Sequence, residues 1–200
     1  MNLAIVRYNA GNIQSLLYAL ERLNITPTIS DDPKVLHSAD KVIFPGVGEA
    51  RSAMTYLRER GLDEVITSLK QPVLGICVGM QLLCAFSEEN DTRCMGVFSA
   101  AVRKFAPNQE QRQAFKVPHI GWNRLDVSQE HPLLNNLPNN PFVYYVHSYA
   151  ADCVSETIAT TDYVAPFSAA LHKDNFYAVQ FHPEKSSTVG ARILQNFLEV

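Results

Sequence analysis

Residues 72–81 read P-V-L-G-I-C-V-G-M-Q. The short apolar run before the cysteine is typical of a buried strand, and the run after it predicts a helix over residues 78–86. A buried strand that passes at once into a helix is the repeating unit of α/β proteins with a parallel sheet. The stretch therefore predicts an α/β fold in which Cys77 lies at a strand-to-helix turn.

Two glycines, Gly75 and Gly79, flank Cys77 at two-residue spacing. A sharp strand-to-helix turn displays its apex side chain above the sheet, and its neighbours approach so closely that only small residues fit. The first turn of the helix also carries partial positive charge, which favours a thiolate over a thiol. The pattern predicts a nucleophile elbow, and a structural cysteine in a glycine-rich crossing is the alternative interpretation.

Further strand–helix units precede this one. Because short links join the units, we expect a mostly parallel, doubly wound sheet covered by helices on both faces. In such sheets ligands bind beyond the carboxyl ends of the strands. The predicted strands cover residues 3–8, 26–30, 41–46 and 72–76, and the predicted helices cover residues 15–23, a short segment opened by residues 31–33, and two pieces of 49–70 divided at Gly61.

The second half of the chain changes to strand-like pieces separated by Pro, Asn and Asp, and it ends on a helix. These strands are expected to extend the sheet and to add an antiparallel section. No internal repeat or long linker interrupts the chain, so residues 1–200 are predicted to form a single domain. The strand-like pieces are residues 96–105, 113–127, 142–150, 156–161 and 167–182, with a short helical turn at 131–137.

The composition excludes several classes of function. A formal net charge of −3 gives no basic footprint for nucleic acid or for a membrane surface. No apolar run approaches the roughly 20 residues that span a bilayer. The N-terminus resembles a first strand more than a signal peptide. We therefore expect a cytoplasmic protein that binds neither nucleic acid nor membranes.

The four cysteines, Cys77, Cys84, Cys94 and Cys153, form no C-x-x-C pair. Their spacing supports neither a structural zinc site nor a disulfide framework, so no metal is predicted and a reducing compartment fits. Cys84 lies in L-L-C-A-F and is predicted to be a core residue inside the helix. Cys94 and Cys153 are interpreted as structural or incidental.

A nucleophilic cysteine needs a base, and the base needs a group that orients it. Among six histidines, His182 in A-V-Q-F-H-P-E-K-S is the best candidate, because an alternating strand leads to it. Residues i and i+2 of an extended chain point to the same side, so Glu184 can reach the imidazole, and Pro183 stiffens the link. A histidine at a strand end beside a solvated glutamate is the alternative interpretation.

Acyl transfer also needs donors for a developing oxyanion. The backbone N–H of Val78, directly after the nucleophile, is one candidate donor. The P-G-V-G segment at 45–48 ends the preceding strand, and its glycines allow the N–H of Gly46 or Val47 to turn inward. Alone, this segment is also compatible with an ordinary β-to-α turn.

Taken together, G-I-C-V-G-M-Q and the distant F-H-P-E-K-S resemble the triad-type, class I glutamine amidotransferases. P-G-V-G-E-A, P-H-I-G-W-N and Y-Y-V-H-S-Y narrow the resemblance to the glutaminase subunits of imidazole glycerol phosphate synthase, in histidine biosynthesis. The resemblance covers essentially the whole chain. Val78 stands where the family usually has leucine, and Y-N-A-G-N departs from its usual first loop, which leaves the triad positions intact.

The resemblance implies an activity and a set of site residues. Glutamine is hydrolysed to glutamate and ammonia without a cofactor. Cys77 forms a γ-glutamyl thioester, His182 acts as base and then acid, and Glu184 orients it. A backbone rearrangement of P-G-V-G, triggered by a partner subunit, completes the oxyanion hole. The substrate-binding positions are Gly48, Gln81 and Ser148.

The resemblance also implies a partner. This partner is a (β/α)8-barrel cyclase subunit, which receives ammonia through its barrel and makes imidazole glycerol phosphate and an aminoimidazole carboxamide ribotide. The heterodimer interface is expected at Asn12, Pro118, His119, Trp122 and Lys185. Two alternatives are a glutaminase subunit of another biosynthetic pathway and a non-catalytic regulatory domain of the same fold.

Overall fold

The computed structural model describes residues 1–9 and 13–200. The first half alternates strands and helices as the sequence predicts. Asp32 caps the second helix by accepting a hydrogen bond from the Lys34 N–H at 2.8 Å, and Gly61 separates two short helices with a φ of 64°. The helices are α1 (Gln14–Glu21), α2 (Pro33–Ser38), α3 (Ala50–Glu59), α4 (Leu62–Ser68), α5 (Val78–Leu83) and α6 (Ser187–Glu199).

The strands number fourteen in the described part of the chain, and short 3-10 turns lie at Gln111–Gln113, Pro132–Leu134 and Pro183–Lys185. In chain order the strands are β1 (Leu3–Val6), β2 (Thr28–Ser30), β3 (Lys41–Phe44), β4 (Val73–Ile76), β5 (Phe86–Ser87), β6 (Thr92–Arg93), β7 (Ala101–Lys104), β8 (His119–Arg124), β9 (Asp126–Val127), β10 (Phe142–His147), β11 (Tyr149–Ala151), β12 (Thr157–Asp162), β13 (Pro166–Lys173) and β14 (Phe176–Val179).

An eight-stranded sheet forms the centre of the structure, in the order β2-β1-β3-β4-β14-β13-β12-β9. The strands from β2 to β14 run parallel, and β13, β12 and β9 continue the sheet antiparallel. Every residue of β1, β3 and β4 is buried, as expected for strands covered on both faces. The prediction of a mostly parallel α/β sheet with an antiparallel extension is therefore confirmed.

Two small sheets lie apart from the central one, which the sequence did not predict. β10 and β8 form an antiparallel pair, and β11, β7, β5 and β6 form a four-stranded sheet. The stretch 167–182 is also not one strand, because the chain turns at Asp174 (φ 53°) and returns as β14. The second half thus extends the sheet with only part of its strands.

The helix after Cys77 is shorter than predicted. α5 ends at Leu83, Cys84 is already extended (ψ 175°), and Phe86 begins β5. The β5 segment pairs with β6 and β7, and these hydrogen bonds compete with the helical ones. Cys84 is fully buried, so its predicted place in the core holds although its predicted helix does not.

Candidate active site

Three chain segments meet at the carboxyl edge of the central sheet. β4 ends one residue before Cys77, and its parallel neighbours β3 and β14 lead into the 45–48 loop and towards His182. Val179 pairs with Ile76, and the Cys77 N–H donates to the Val179 carbonyl at 2.8 Å. Because parallel strands end at the same edge, the topology brings together motifs separated by about a hundred residues.

The turn at Cys77 has the geometry of a strained elbow. Cys77 has φ 54° and ψ −111°, a conformation that L-residues rarely adopt, and its residue surface is 4% exposed. A Cβ on Gly79 would overlap the Phe44 carbonyl group, and one on Gly75 would come within 2.8 Å of the Leu83 side chain. Close approach of backbone atoms therefore requires glycine at position 79, as the sequence predicts. At position 75 the space is tight but less strict, because the Leu83 side chain can move and the Met80 backbone lies 3.1 Å away.

Gly79→Ala is expected to destabilise the protein strongly, because the overlapping atom belongs to the backbone of β3 and cannot rotate away. Overpacking of this kind costs about 1–3 kcal/mol or more. Urea unfolding followed by circular dichroism measures the loss. Gly96→Ala is a useful comparison, because its strain comes from a positive φ of 73° alone with no atom near the added Cβ. Equal unfolding midpoints for Gly79→Ala and the parent would contradict the elbow geometry.

His182 and Glu184 form a buried pair. The Nδ1 atom of His182 lies 2.7 Å from Oε1 of Glu184, and the two side chains are 4% and 10% exposed. The Pro183–Lys185 turn follows His182 directly and bends the carboxylate back to the ring. The predicted reach of Glu184 to the imidazole is thus present in the structure.

The electrostatic surroundings of His182 favour its charged form. Burial by itself lowers the pKa of the imidazole, but interactions with Cys77 and with Glu184 outweigh burial and raise this pKa to about 10. Within residues 1–9 and 13–200, Nε2 makes no hydrogen bond of ordinary geometry, a looseness that is common before substrate binds. The direction of this shift favours a protonated imidazole, and a cationic neighbour of this kind is what activates a cysteine sulfur as a nucleophile.

Strand β10 holds the histidine in place. The His182 N–H donates to the Tyr144 carbonyl at 2.9 Å, and the Tyr144 N–H donates to Oγ of Ser186 at 2.9 Å. The Ser186 hydroxyl donates in turn to the His182 carbonyl at 2.7 Å. Tyr144 lies opposite Trp122 of β8, so the β8–β10 strand pair is tied directly to the turn that carries His182.

The oxyanion donors predicted from the sequence lie close together, and one of them, the Val78 N–H, is already engaged. The Val78 N–H donates to the Gly46 carbonyl oxygen at 3.3 Å. The Tyr8 hydroxyl donates to the neighbouring Pro45 carbonyl at 2.6 Å and is buried there. Because the C=O of Gly46 and the N–H of Val47 belong to one peptide and point in opposite directions, turning that peptide would free Val78 and bring the Val47 N–H inward.

A cavity of about 360 Å³ opens beside the elbow, within the range of small-molecule sites. Its walls include most of the predicted catalytic, oxyanion and substrate-binding residues: Cys77, His182, Val47, Val78, Gly48, Gln81 and Ser148. Glu184 lies outside this cavity wall, behind His182, and Gly46 lines a smaller neighbouring pocket with it.

Two residues that the sequence did not single out also belong to this site. Glu89 lines the cavity, and its Oε2 accepts a hydrogen bond from the Ala50 N–H at 2.8 Å. Gln180 is fully buried, and its Nε2 lies 3.8 Å from the Cys77 sulfur. Glu89 stands in an acidic run that resembles a surface turn. The position of Gln180 in the alternating segment that leads to His182 is the sequence feature that could have indicated its place in the site.

The predicted interface residues divide into two groups. Pro118, Trp122 and Lys185 are exposed, with Trp122 at 53%. His119 is instead 3% exposed, because alternation along β8 turns it inward, where it stacks between Tyr145 and Tyr163 at ring distances of 4.9 and 3.8 Å. The His119 side chain is therefore not at the surface, contrary to its predicted role. Asn12 lies outside the described residues.

Neither a metal site nor a membrane span emerges from the described residues. No group of three His, Cys, Asp or Glu side chains within residues 1–9 and 13–200 has an arrangement that could hold a metal ion. None of the helices in this part of the chain combines the length and apolar character needed to cross a bilayer.

Comparison with known proteins identifies the family. The model of the family described as glutamine amidotransferase class-I matches residues 5–200. Imidazole glycerol phosphate synthase subunit HisH of Bacteroides fragilis (strain YCH46) is 54% identical over 200 residues, covering 100% of both chains. The HisH subunit of Vibrio cholerae is 44% identical over 205 residues, covering 100% of this chain and 98% of its own.

Solved structures support the same fold. A glutamine amidotransferase structure has a TM-score of 0.73 at 20% identity and covers 98% of this chain and 97% of its own. PurLQS from Thermotoga maritima has a TM-score of 0.72 at 18% identity, covering 99% and 97%. The chain belongs to the class-I glutamine amidotransferases and, within them, to the family of imidazole glycerol phosphate synthase HisH subunits.

Proposed function

We propose that this chain is the glutaminase subunit of an imidazole glycerol phosphate synthase and forms a single glutamine amidotransferase domain. The observation that carries the proposal is the meeting of Cys77, His182 and Glu184 at one edge of the sheet, next to a cavity. The full-length relatives named HisH support the choice of pathway. Glutamine is the substrate, and no cofactor takes part.

The proposed reaction runs through a thioester. The Cys77 thiolate attacks the side-chain amide carbon of glutamine, and the carbonyl electrons move to oxygen. When this tetrahedral intermediate collapses, the C–N bond breaks and His182 gives its proton to the leaving nitrogen, which departs as ammonia. His182 then takes a proton from water, the resulting hydroxide attacks the thioester, and cleavage of the C–S bond releases glutamate. Glu184 keeps the imidazole oriented throughout.

The walls of the cavity suit the remaining groups of glutamine. The Glu89 carboxylate offers a partner for the α-ammonium group, and the predicted contacts Gly48, Gln81 and Ser148 lie around the same space. Burial raises the pKa of Glu89, which is partly offset by its hydrogen bond from Ala50. Ion pairing with an ammonium group would favour the charged carboxylate.

The proposed partner is the (β/α)8-barrel cyclase subunit, which uses the released ammonia. Ammonia released into neutral water is protonated and is then no longer a nucleophile, so transfer inside a complex preserves it. The β8–β10 strand pair presents Ile120, Trp122 and Val146 with exposures of 60%, 53% and 38%. Exposed apolar and aromatic side chains of this kind are typical anchors at interfaces. A cytoplasmic location stays a prediction.

Complementation tests the proposed pathway. The test uses a bacterial strain that needs histidine because it lacks this subunit. When the strain expresses this chain together with the cyclase subunit from the same organism as the chain, it is expected to grow without histidine at low ammonia. The same strain carrying an empty vector controls for background growth, and high ammonia controls for a working cyclase. Absence of growth at low ammonia, with growth at high ammonia and normal expression, would refute the proposed function.

A further inference from the structure

A buried chain of side-chain hydrogen bonds ends on the nucleophile. Gln180 donates from Nε2 to Sγ of Cys77 at 3.8 Å and accepts at Oε1 from Nε2 of Gln81 at 2.9 Å. Gln81 also donates from Nε2 to the Tyr149 carbonyl at 2.9 Å. Gln81 and Gln180 are 3% and 0% exposed, so neither amide relies on water.

The chain continues through two histidines to strand β8. Nδ1 of His147 lies 2.8 Å from the same Tyr149 carbonyl, and Nε2 of His147 lies 3.0 Å from Nδ1 of His119. Nδ2 of Asn123 lies 3.4 Å from Nε2 of His119 and also donates to the Asp162 carbonyl at 3.0 Å. This chain of hydrogen bonds therefore runs from the β8–β10 strand pair to the elbow.

Each hydrogen in this chain can be assigned. The Tyr149 carbonyl only accepts, so His147 must carry its proton on Nδ1, and its Nε2 must accept from the Nδ1–H of His119. Burial lowers the pKa of His119 to about 4 and is also the main reason why the pKa of His147 falls to about 3. Both rings are therefore neutral at neutral pH, which is the state that the assigned hydrogen bonds require.

The same reasoning fixes both glutamine amides. Gln81 uses its NH2 group on the Tyr149 carbonyl and on Gln180, so it can offer a ligand in the cavity only its carbonyl oxygen. Gln180 accepts from Gln81 with its oxygen, which turns its NH2 group towards the sulfur of Cys77. An N–H directed at sulfur stabilises a thiolate more than a thiol.

We propose that Gln180 is a positioning residue for both Cys77 and Gln81. In the same proposal, the His119–His147 pair anchors this chain of hydrogen bonds to strand β8. The proposal rests on the glutaminase function proposed above. Gln180 and His182 both lie in the bend that follows β14, so one short segment supplies two groups at the elbow, an amide N–H 3.8 Å from the sulfur and an imidazole that lines the same cavity. The hydrogen-bond chain reaches β8 at His119, next to the exposed Ile120 of the proposed partner surface.

Replacement of Gln180 tests the first part in the complex with the cyclase. Gln180→Met removes both hydrogen bonds at similar volume, and kcat for glutamine is expected to fall about 10- to 100-fold. Gln180→Glu keeps the acceptor for Gln81 but has no N–H for the sulfur, so its kcat for glutamine is expected to fall as well. Ammonia-dependent synthesis, which does not use Cys77, should stay unchanged. Gln129→Met, at an exposed loop position, is the matched control.

A second readout reports on the sulfur itself. The alkylation rate of Cys77 by iodoacetamide is followed against pH, with mass spectrometry separating it from the other cysteines. Both Gln180 variants are expected to need a higher pH for half-maximal alkylation, whereas a purely structural role would leave the midpoint unchanged. An unchanged midpoint with wild-type kcat overturns the positioning role. If the parent complex itself fails to use glutamine, the proposed function fails instead.

The histidine pair is tested through His147, the last residue of β10. His147→Leu removes the donor to the Tyr149 carbonyl, and the KM for glutamine is expected to rise several-fold because the Gln81 amide is no longer held from that side. His147→Asn places a side-chain N–H near the position of Nδ1, so it is expected to recover most of the KM. If His147→Leu and His147→Asn have the same KM for glutamine, the two histidines have no place in the proposal.

Discussion

A complex carrying Cys77→Ala is expected to lose glutamine-dependent synthesis by at least about 10⁴-fold while keeping its ammonia-dependent synthesis. The reason is that the thioester needs a sulfur atom at the elbow, whereas ammonia supplied in solution enters the cyclase reaction directly. Alanine fits the strained backbone at this position no worse than cysteine, so the fold should persist. The measurement is the rate of product formation by the complex with glutamine or with an ammonium salt as nitrogen source.

Two controls separate chemistry from folding. Cys153→Ala removes the exposed cysteine and should leave both rates unchanged. A glutamine-analogue electrophile should label the parent chain at Cys77 and leave the Cys77→Ala chain unlabelled. Glutamine-dependent turnover by Cys77→Ala close to that of the parent would end the assignment of Cys77 as nucleophile. Loss of the ammonia-dependent rate would instead show that the substitution damages the complex.

The parts of the site that sequence predicts are those fixed by local geometry. The glycines that flank Cys77 indicate the elbow. Glu184 reaches His182 because only one residue separates them. Strand alternation before His182 and the parallel-sheet pattern then suffice to place these groups at one edge. These features need no knowledge of which distant side chains surround them.

The parts that sequence misses depend on contacts between distant segments. The end of α5 at Leu83 is set by pairing of β5 with β6 and β7, which no helical pattern contains. Alternation along β8 puts His119 and Trp122 on opposite faces, but which face turns inward depends on packing of His119 against Tyr145 and Tyr163. Gln180 and Glu89 gain significance only through the atoms beside them, the Cys77 sulfur and the cavity.

The second large effect concerns the partner. The isolated subunit is expected to hydrolyse glutamine slowly, and saturating cyclase is expected to raise kcat by about 10²- to 10³-fold, the usual effect of an oxyanion donor. The physical reason is that the Gly46 carbonyl occupies the Val78 N–H, so a negative oxygen would meet a carbonyl dipole where it needs a donor. A turn of the Gly46–Val47 peptide is needed before the N–H groups of Val47 and Val78 can both donate to the oxyanion.

We expect the proposed partner to act on this peptide through groups that are already in contact with the site. The exposed β8–β10 strand pair is tied to His182 through Tyr144, and Val47 itself is 41% exposed beside the cavity. The measurement is glutamate release by the subunit alone and with increasing cyclase, using Trp122→Ala as a variant expected to weaken the response to cyclase but not the basal rate. Because the Gly46 carbonyl faces the oxyanion position in the isolated chain, activation should appear mainly in kcat and little in KM. Full activity of the isolated subunit would contradict a donor pair that the partner completes.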